Sequence, residues 1–260
     1  MDDVSRELRR QCLLVSHASG HGHLPTCFSI IEMLRALYAV MRHDPGQPDA
    51  PWRDIFILSK GHAALAHYVV LAQQKYFSFE SLSSFGGFAS RFGCHADRLK
   101  VPGVEWSTGS LGHGLSAALG FALGIKLKGE ERRVFVLIGD GESNEGSIWE
   151  ALQVAAARQL NNLVLMLDLN QSQSRCLPLL QPEQKFVSMG WQVQTLDGHN
   201  MGELTSALQA PRPALSPLAL ICHTGKGYGC ASMLNDMFAW HRRSPNAEEL
   251  QQLMRELDNA

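Results

Sequence analysis

Charge of one sign, long apolar runs and paired cysteines are all missing from this sequence. Its 260 residues carry 23 basic and 25 acidic side chains, a formal net charge of -2. No Lys/Arg run is dense enough to track a phosphate backbone, which argues against nucleic-acid binding. No apolar stretch approaches the roughly 18 to 20 residues of a membrane span. The N-terminus, Met1-Asp2-Asp3 followed by Arg6, Arg9 and Arg10, lacks the apolar core of a signal peptide. A soluble, cytoplasmic protein without a membrane partner is expected. Cys12, Cys27, Cys94, Cys176, Cys222 and Cys230 form no C-x-x-C pair, so neither a zinc knuckle nor a disulfide framework is suggested. They read as reduced, mostly buried thiols. Internal repeats and low-complexity tracts are absent too. No dinucleotide fingerprint follows a strand, since Gly139-Asp140-Gly141 has Asn144 where a third glycine belongs. No phosphate loop is present either, because Gly225-Lys226 runs into Gly227.

What the sequence does hold is alternation. Short, largely apolar runs, Asp54 to Ser59, Val134 to Ile138, Leu163 to Leu167, Trp191 to Leu196 and Leu218 to Cys222, read as strands, most of them buried. Between and before them lie helical patterns: Val4 to Val15, Phe28 to Met41, a Gly- and Ala-rich Gly109 to Lys128, Ile148 to Arg158 and Met201 to Leu208. A peripheral helix is expected from about Asn246. Apolar strands alternating with helices predict an α/β fold, a doubly wound, mostly parallel sheet covered on both faces. The stretch Ser16 to Pro25, with His21 and His23 beside Gly20 and Gly22, cannot continue a helix and reads as an ordered loop or a site.

Gly139-Asp140-Gly141 closes the second strand and Asn170 closes the third. A right-handed crossover between them makes these strands parallel and brings Asp140 and Asn170 to the carboxyl edge, where open α/β sheets bind ligands. Asp140 offers a charged oxygen and Asn170 a neutral one. The glycines let backbone approach closely, and the following helix can turn amide hydrogens toward an anion. A few hard oxygen ligands beside an anion site suit magnesium bound to a diphosphate.

Gly139-Asp140-Gly141-Glu142-Ser143-Asn144-Glu145-Gly146, continuing to Asp168-Leu169-Asn170, resembles the thiamine diphosphate fingerprint of the transketolase family. In that pattern Gly-Asp-Gly opens a segment of about thirty residues that closes on a metal-binding Asn. Ser59-Lys60-Gly61-His62-Ala63, Pro102 to Glu105, Thr108 to Gly114, Asp197-Gly198-His199-Asn200 and Trp240-His241 resemble further family segments in family order. The resemblance covers nearly the whole chain. It implies a single diphosphate-binding domain over residues 1–260, with N-terminal helices and a C-terminal helical tail. It implies thiamine diphosphate held by His62, Gly109, Ser110, Leu111, Gly139, Asp140, Gly141, Glu142 and Asn170. Magnesium, or manganese or calcium in its place, would bind Asp140, Asn170 and the carbonyl of Ser172. His21, His62, His95 and His241 match histidines lining the substrate channel, and Glu145 matches a glutamate that communicates across a subunit interface.

The cofactor's aminopyrimidine needs a carboxylic acid, which in the family lies in a second, pyrimidine-binding domain. The resemblance therefore implies the N-terminal subunit of a split transketolase. A C-terminal partner would carry that acid, in an α2β2 assembly. The expected reaction passes a two-carbon ketol, or related acyl, unit to an aldehyde-type acceptor. 1-Deoxyxylulose-5-phosphate synthase chemistry is the nearest alternative with the same cofactor. Departures from the family pattern, namely His23-Leu24 after Gly22, His113 where Gln is common and Arg242-Arg243 after His241, put both substrates in doubt. Two other readings stand beside this one: a non-catalytic regulatory homologue, and a metallohydrolase using His21, His23, His62 and His95 as ligands.

Overall fold

Strands that are apolar on both faces need a helical layer on each side, and the architecture follows from that. A computed structural model describes residues 1–211 and 215–260. The strands are β1 (Ile55–Leu58), β2 (Val134–Gly139), β3 (Leu163–Leu169), β4 (Gln192–Asp197) and β5 (Leu218–His223). They form one sheet in the order β1-β2-β3-β5-β4, and every pairing is parallel. The helices are α1 (Asp3–Ser19), α2 (Leu24–Phe28), α3 (Ile31–Val40), α4 (Ala64–Gln73), α5 (His113–Leu127), α6 (Gly146–Ala157), α7 (Pro182–Ser188), α8 (Met201–Gln209), α9 (Ala231–Asn235) and α10 (Ala247–Asp258).

Alternation along β2 shows the two faces directly. Val134, Val136 and Ile138 pack with Leu115, Ala118 and Ala122 of α5 and with Ile148 and Leu152 of α6. Phe135 and Leu137 point the other way, into a core shared with α1 to α4, α8 and α10. The crossover from β2 to β3 passes over the first face by α6, and the return from β4 to β5 passes over the second by α8. Reversing direction in the sheet while keeping right-handed crossovers demands that change of face. The reversal leaves a crevice at the carboxyl ends of β3 and β5.

One helix begins earlier than its sequence pattern suggests. The pattern from Phe28 to Met41 splits into α2 and α3 at a turn through Ser29 and Ile30. Pro25 does not break α2; it lies in the first turn, where a missing amide hydrogen costs nothing. The loop before it therefore ends at His23. The tail helix α10 is fixed by a capping box between Asn246 and Glu249, and it buries Leu253 and Leu257 against the N-terminal layer.

Candidate active site

The carboxyl ends of β1, β2, β3 and β5 surround a cleft with a cavity of about 450 Å³. Asp140, at the end of β2, and Asn170, just beyond β3, are both 3% exposed. The register pairs Gly139 with Asp168, which sets Asp140 and Asn170 side by side. Ser172 joins them: its hydroxyl donates to Asp140 Oδ1, and its amide donates to Asn170 Oδ1 at 3.1 Å. Hard oxygens thus converge at one point of the wall.

Asp168 explains how Asn170 is held. Asn170 Nδ2 donates to Asp168 Oδ2 at 2.7 Å, so the amide oxygen is turned the other way, toward Ser172. The Asp168 carboxylate is fully buried and also accepts from Lys60 Nζ, from Thr224 Oγ1 and, at 2.8 Å, from Ser29 Oγ. A buried charge needs that many partners. Lys60 is 1% exposed, and Lys226, after β5, is 4% exposed. Both line the cleft. Burial, and then the charge of Lys60, pushes the Lys226 ammonium down to about 8.

Four histidines form the outer wall: His23, His62, His95 and His241. The His23 ring lies 5.3 Å from that of His62 and 5.7 Å from that of His241, edge-on to both. Lys226 Nζ donates to His241 Nδ1 at 3.0 Å. Burial pushes His62 down to about 2 and His23 to about 4, with nearby cations adding to the effect. His95 and His241 are lowered for the same reasons. Near neutral pH these rings are therefore uncharged and can both donate and accept hydrogen bonds.

Several anticipated residues meet in this cleft: His62, His95, His241, Glu145, Gly109, Leu111, Gly139, Asp140, Gly141, Glu142, Asn170 and Ser172 all line it. Two do not. Ser110 is exposed and lies off the wall. His21 is exposed as well, and His23 occupies the wall position expected of His21. Glu142 is present in a different capacity, since its buried carboxylate accepts from Ser59 Oγ and from the amides of Gly112 at 2.9 Å and Gly139 at 3.2 Å. It ties the start of α5 to the ends of β1 and β2. Burial raises its proton affinity, and those donors oppose the rise. The Gly141 amide donates to Asp140 Oδ1 at 2.7 Å. Thr26, Lys60, Gln173 and Lys226 also line the cleft, although sequence reasoning assigned them no role.

The lining fits a metal-bound polyanion. It combines oxygen donors of Asp140 and Asn170 with the ammonium groups of Lys60 and Lys226. His23 Nδ1, buried beside the cleft, has no hydrogen-bond partner among the described residues. Among the described residues no three His, Cys, Asp or Glu side chains are placed to hold a metal ion.

Comparison with known proteins agrees with this geometry. Residues 7–258 match the family described as transketolase, thiamine diphosphate binding domain. The 6-deoxy-6-sulfo-D-fructose transketolase subunit SqwG of Clostridium sp. is 38% identical over 246 residues, 92% of this chain and 89% of that protein. One of the apulose-4-phosphate transketolase subunits of Actinobacillus succinogenes is 33% identical, covering 99% of this chain and 95% of its own. Among solved structures, the transketolase of Campylobacter jejuni superposes with a TM-score of 0.90 at 24% identity, covering 99% of this chain and 43% of that one. With its parallel sheet, its cleft at the carboxyl edge and a family match over almost its full length, the chain belongs to the transketolase family, as its thiamine diphosphate-binding domain.

Proposed function

We propose that this chain is the N-terminal half of a split transketolase, a cytoplasmic enzyme that moves a two-carbon ketol unit from a ketose or 2-oxo donor to an aldehyde-type acceptor. The observation that carries the reading is the convergence of Asp140, Asn170 and Ser172 beside Lys60 and Lys226. Asp140 and Asn170 would hold Mg²⁺ through side-chain oxygens and Ser172 through its carbonyl; Mn²⁺ or Ca²⁺ would suit the same set. Too few protein oxygens converge to complete an octahedron, which suits a metal that shares its shell with a diphosphate. Lys60 and Lys226 would neutralise that diphosphate, with Gly139 and Gly141 at its edge and Gly109, Leu111 and His62 against the rest of the cofactor. Bound there, thiamine diphosphate would supply a carbon nucleophile.

His23, His62, His95 and His241 would orient the substrate hydroxyls through the hydrogen bonds that uncharged rings both donate and accept, and His95 and His241, the more exposed pair, would take or return their protons. Glu145, exposed at the cleft mouth, is placed to meet a partner. That partner would be a separate C-terminal subunit carrying the pyrimidine-binding domain and its activating glutamate, in an α2β2 tetramer. Relatives named as subunits of 6-deoxy-6-sulfo-D-fructose and apulose-4-phosphate transketolases support this arrangement, and they support a sugar substrate with an anionic end. The whole of residues 1–260 would act as one diphosphate-binding domain.

Reconstitution tests the reading. The chain alone should show no ketol transfer, and co-purification with the C-terminal subunit should bring activity that depends on thiamine diphosphate. Turnover by the isolated chain would contradict it.

A further inference from the structure

A chain of charged and polar side chains runs from the N-terminal helices to the loop after β5 without lining the cleft. Arg9 of α1 is 0% exposed and Glu32 of α3 is 2% exposed. They pair bidentately, Arg9 Nη1 with Oε1 at 2.6 Å and Nη2 with Oε2 at 2.7 Å, and Nη2 also donates to the Phe28 carbonyl at 2.6 Å. Burial would raise the Glu32 carboxyl, but Arg9 and then His199 hold it down at about 2, so it stays ionised. Its Oε2 lies 3.0 Å from Nδ1 of His199, which sits between β4 and α8 with its ring stacked 3.6 Å from that of Tyr228.

The other nitrogen of that ring faces the loop after β5, where the Gly225 amide donates to His199 Nε2 at 2.9 Å. A backbone amide can only donate, so Nε2 carries no proton. The ring's proton therefore sits on Nδ1, where the Glu32 carboxylate accepts it. Gly225 directly precedes Lys226, whose ammonium lines the cleft and donates to His241 Nδ1 at 3.0 Å. On either side of this pair, the Thr224 hydroxyl donates to Asp168 and the Gly227 amide donates to the Pro25 carbonyl at 2.9 Å. The turn that carries Lys226 is thus fastened at Thr224, at Gly227 and, through a ring outside the cleft, at Gly225.

We propose that His199 is a positioning residue: by accepting from the Gly225 amide it sets how Lys226 enters the cleft and meets His241, with Glu32 and Arg9 fixing its tautomer. That Lys226 faces a diphosphate there rests on the functional reading above. Without the acceptor the Gly225 amide must find water, the turn relaxes, and Lys226 gives up its contact with His241. The two ends of the ring separate this role from simple support of a buried carboxylate, since support of Glu32 uses Nδ1 and positioning of Lys226 uses Nε2.

Two substitutions divide the ring. His199→Asn keeps a donor for Glu32 near the Nδ1 position and lacks an acceptor for Gly225, whereas His199→Gln extends a carbonyl to the Nε2 position. The full chain with isotope-labelled histidines is first followed by NMR without cofactor, His199 and His241 being assigned by substitution. His199 should show the Nδ1–H tautomer near neutral pH. The His241 resonances should move in His199→Asn toward their position in Lys226→Met, and stay near wild type in His199→Gln. The opposite tautomer, or an unmoved His241 in His199→Asn, overturns the proposal. The chain with its partner subunit is then titrated calorimetrically with thiamine diphosphate and Mg²⁺. His199→Asn should weaken binding about fivefold, the loss of roughly one hydrogen bond, but less than about twofold in a Lys226→Met background. His199→Gln should recover most of the affinity. Asn tolerated better than Gln, or equal losses with and without Lys226, would assign His199 to the support of Glu32 alone and overturn the proposal. A wild-type pair that binds no cofactor while His241 responds as expected refutes the functional reading and leaves the positioning standing; bound cofactor with His241 unmoved refutes the positioning alone.

Discussion

Lys226 is where burial and charge act most directly against each other in this site. Its ammonium, 4% exposed and close to Lys60, is pushed from 10.5 down to about 8. Free protein therefore carries this charge below about pH 8 and loses it above. A bound diphosphate favours the charged form, so binding above pH 8 must take up a proton. The apparent dissociation constant of thiamine diphosphate should rise about tenfold per pH unit above 8. Lys226→Met should bind more weakly at pH 7 and lose that slope. Calorimetry in buffers of different ionisation enthalpy measures the uptake, and a flat wild-type profile up to pH 10 would count against it. Legibility at this scale was uneven. Asp140 and Asn170 could be read because each ends an apolar strand. Asp168 could have been: a carboxylate inside the run Leu167-Asp168-Leu169 is a buried charge that demands a cation, and Lys60 is its partner. His23 stood out as a departure from the family pattern, but its place on the wall follows only once Pro25 is set in the first turn of α2.

At the scale of elements, the cofactor wall depends on how closely the start of α5 approaches the end of β1. Gly114 makes that approach possible, since a β-carbon there would lie 2.3 Å from Ser59 Oγ and 2.8 Å from its Cα. Ser59 in turn donates to Glu142 and accepts from the Gly114 amide at 3.1 Å. Gly114→Ala should therefore cost about 1–3 kcal/mol by overpacking and loosen the Gly109 to Leu111 wall. Thermal unfolding of the isolated chain should fall by several degrees. Gly120→Ala, on the same helix with nothing within 4 Å, should be neutral or stabilising. Equal effects of the two would contradict the packing account. Four of the strands were legible to within a residue or two because continuous apolar runs leave little choice; β4, Gln192–Asp197, is an edge strand whose residues are mostly exposed. The split of one helical pattern into α2 and α3 was not: Ser29 keeps helical dihedrals while its hydroxyl reaches Asp168, and the backbone departs one residue later, at Ile30, with φ -116° and ψ 5°.

For the molecule as a whole, composition conceals what position creates. A net charge of -2 gives no hint of a cleft that gathers Lys60 and Lys226 beside Asp140, because these residues are distant in sequence and meet only at the carboxyl edge of the sheet. The parallel sheet could be predicted from alternation. Its order could not, since β4 and β5 could lie on either side of one another until the faces covered by α7 and α8 are known. At the centre of the proposed function Asp140 and Asn170 hold a metal that holds a diphosphate. Calorimetric titration of thiamine diphosphate into the chain with its partner subunit, with and without Mg²⁺, tests it most directly. Binding should require the metal and weaken at least about tenfold in Asp140→Ala and in Asn170→Ala. Equal affinity in Asp140→Ala, or affinity indifferent to Mg²⁺, would contradict it.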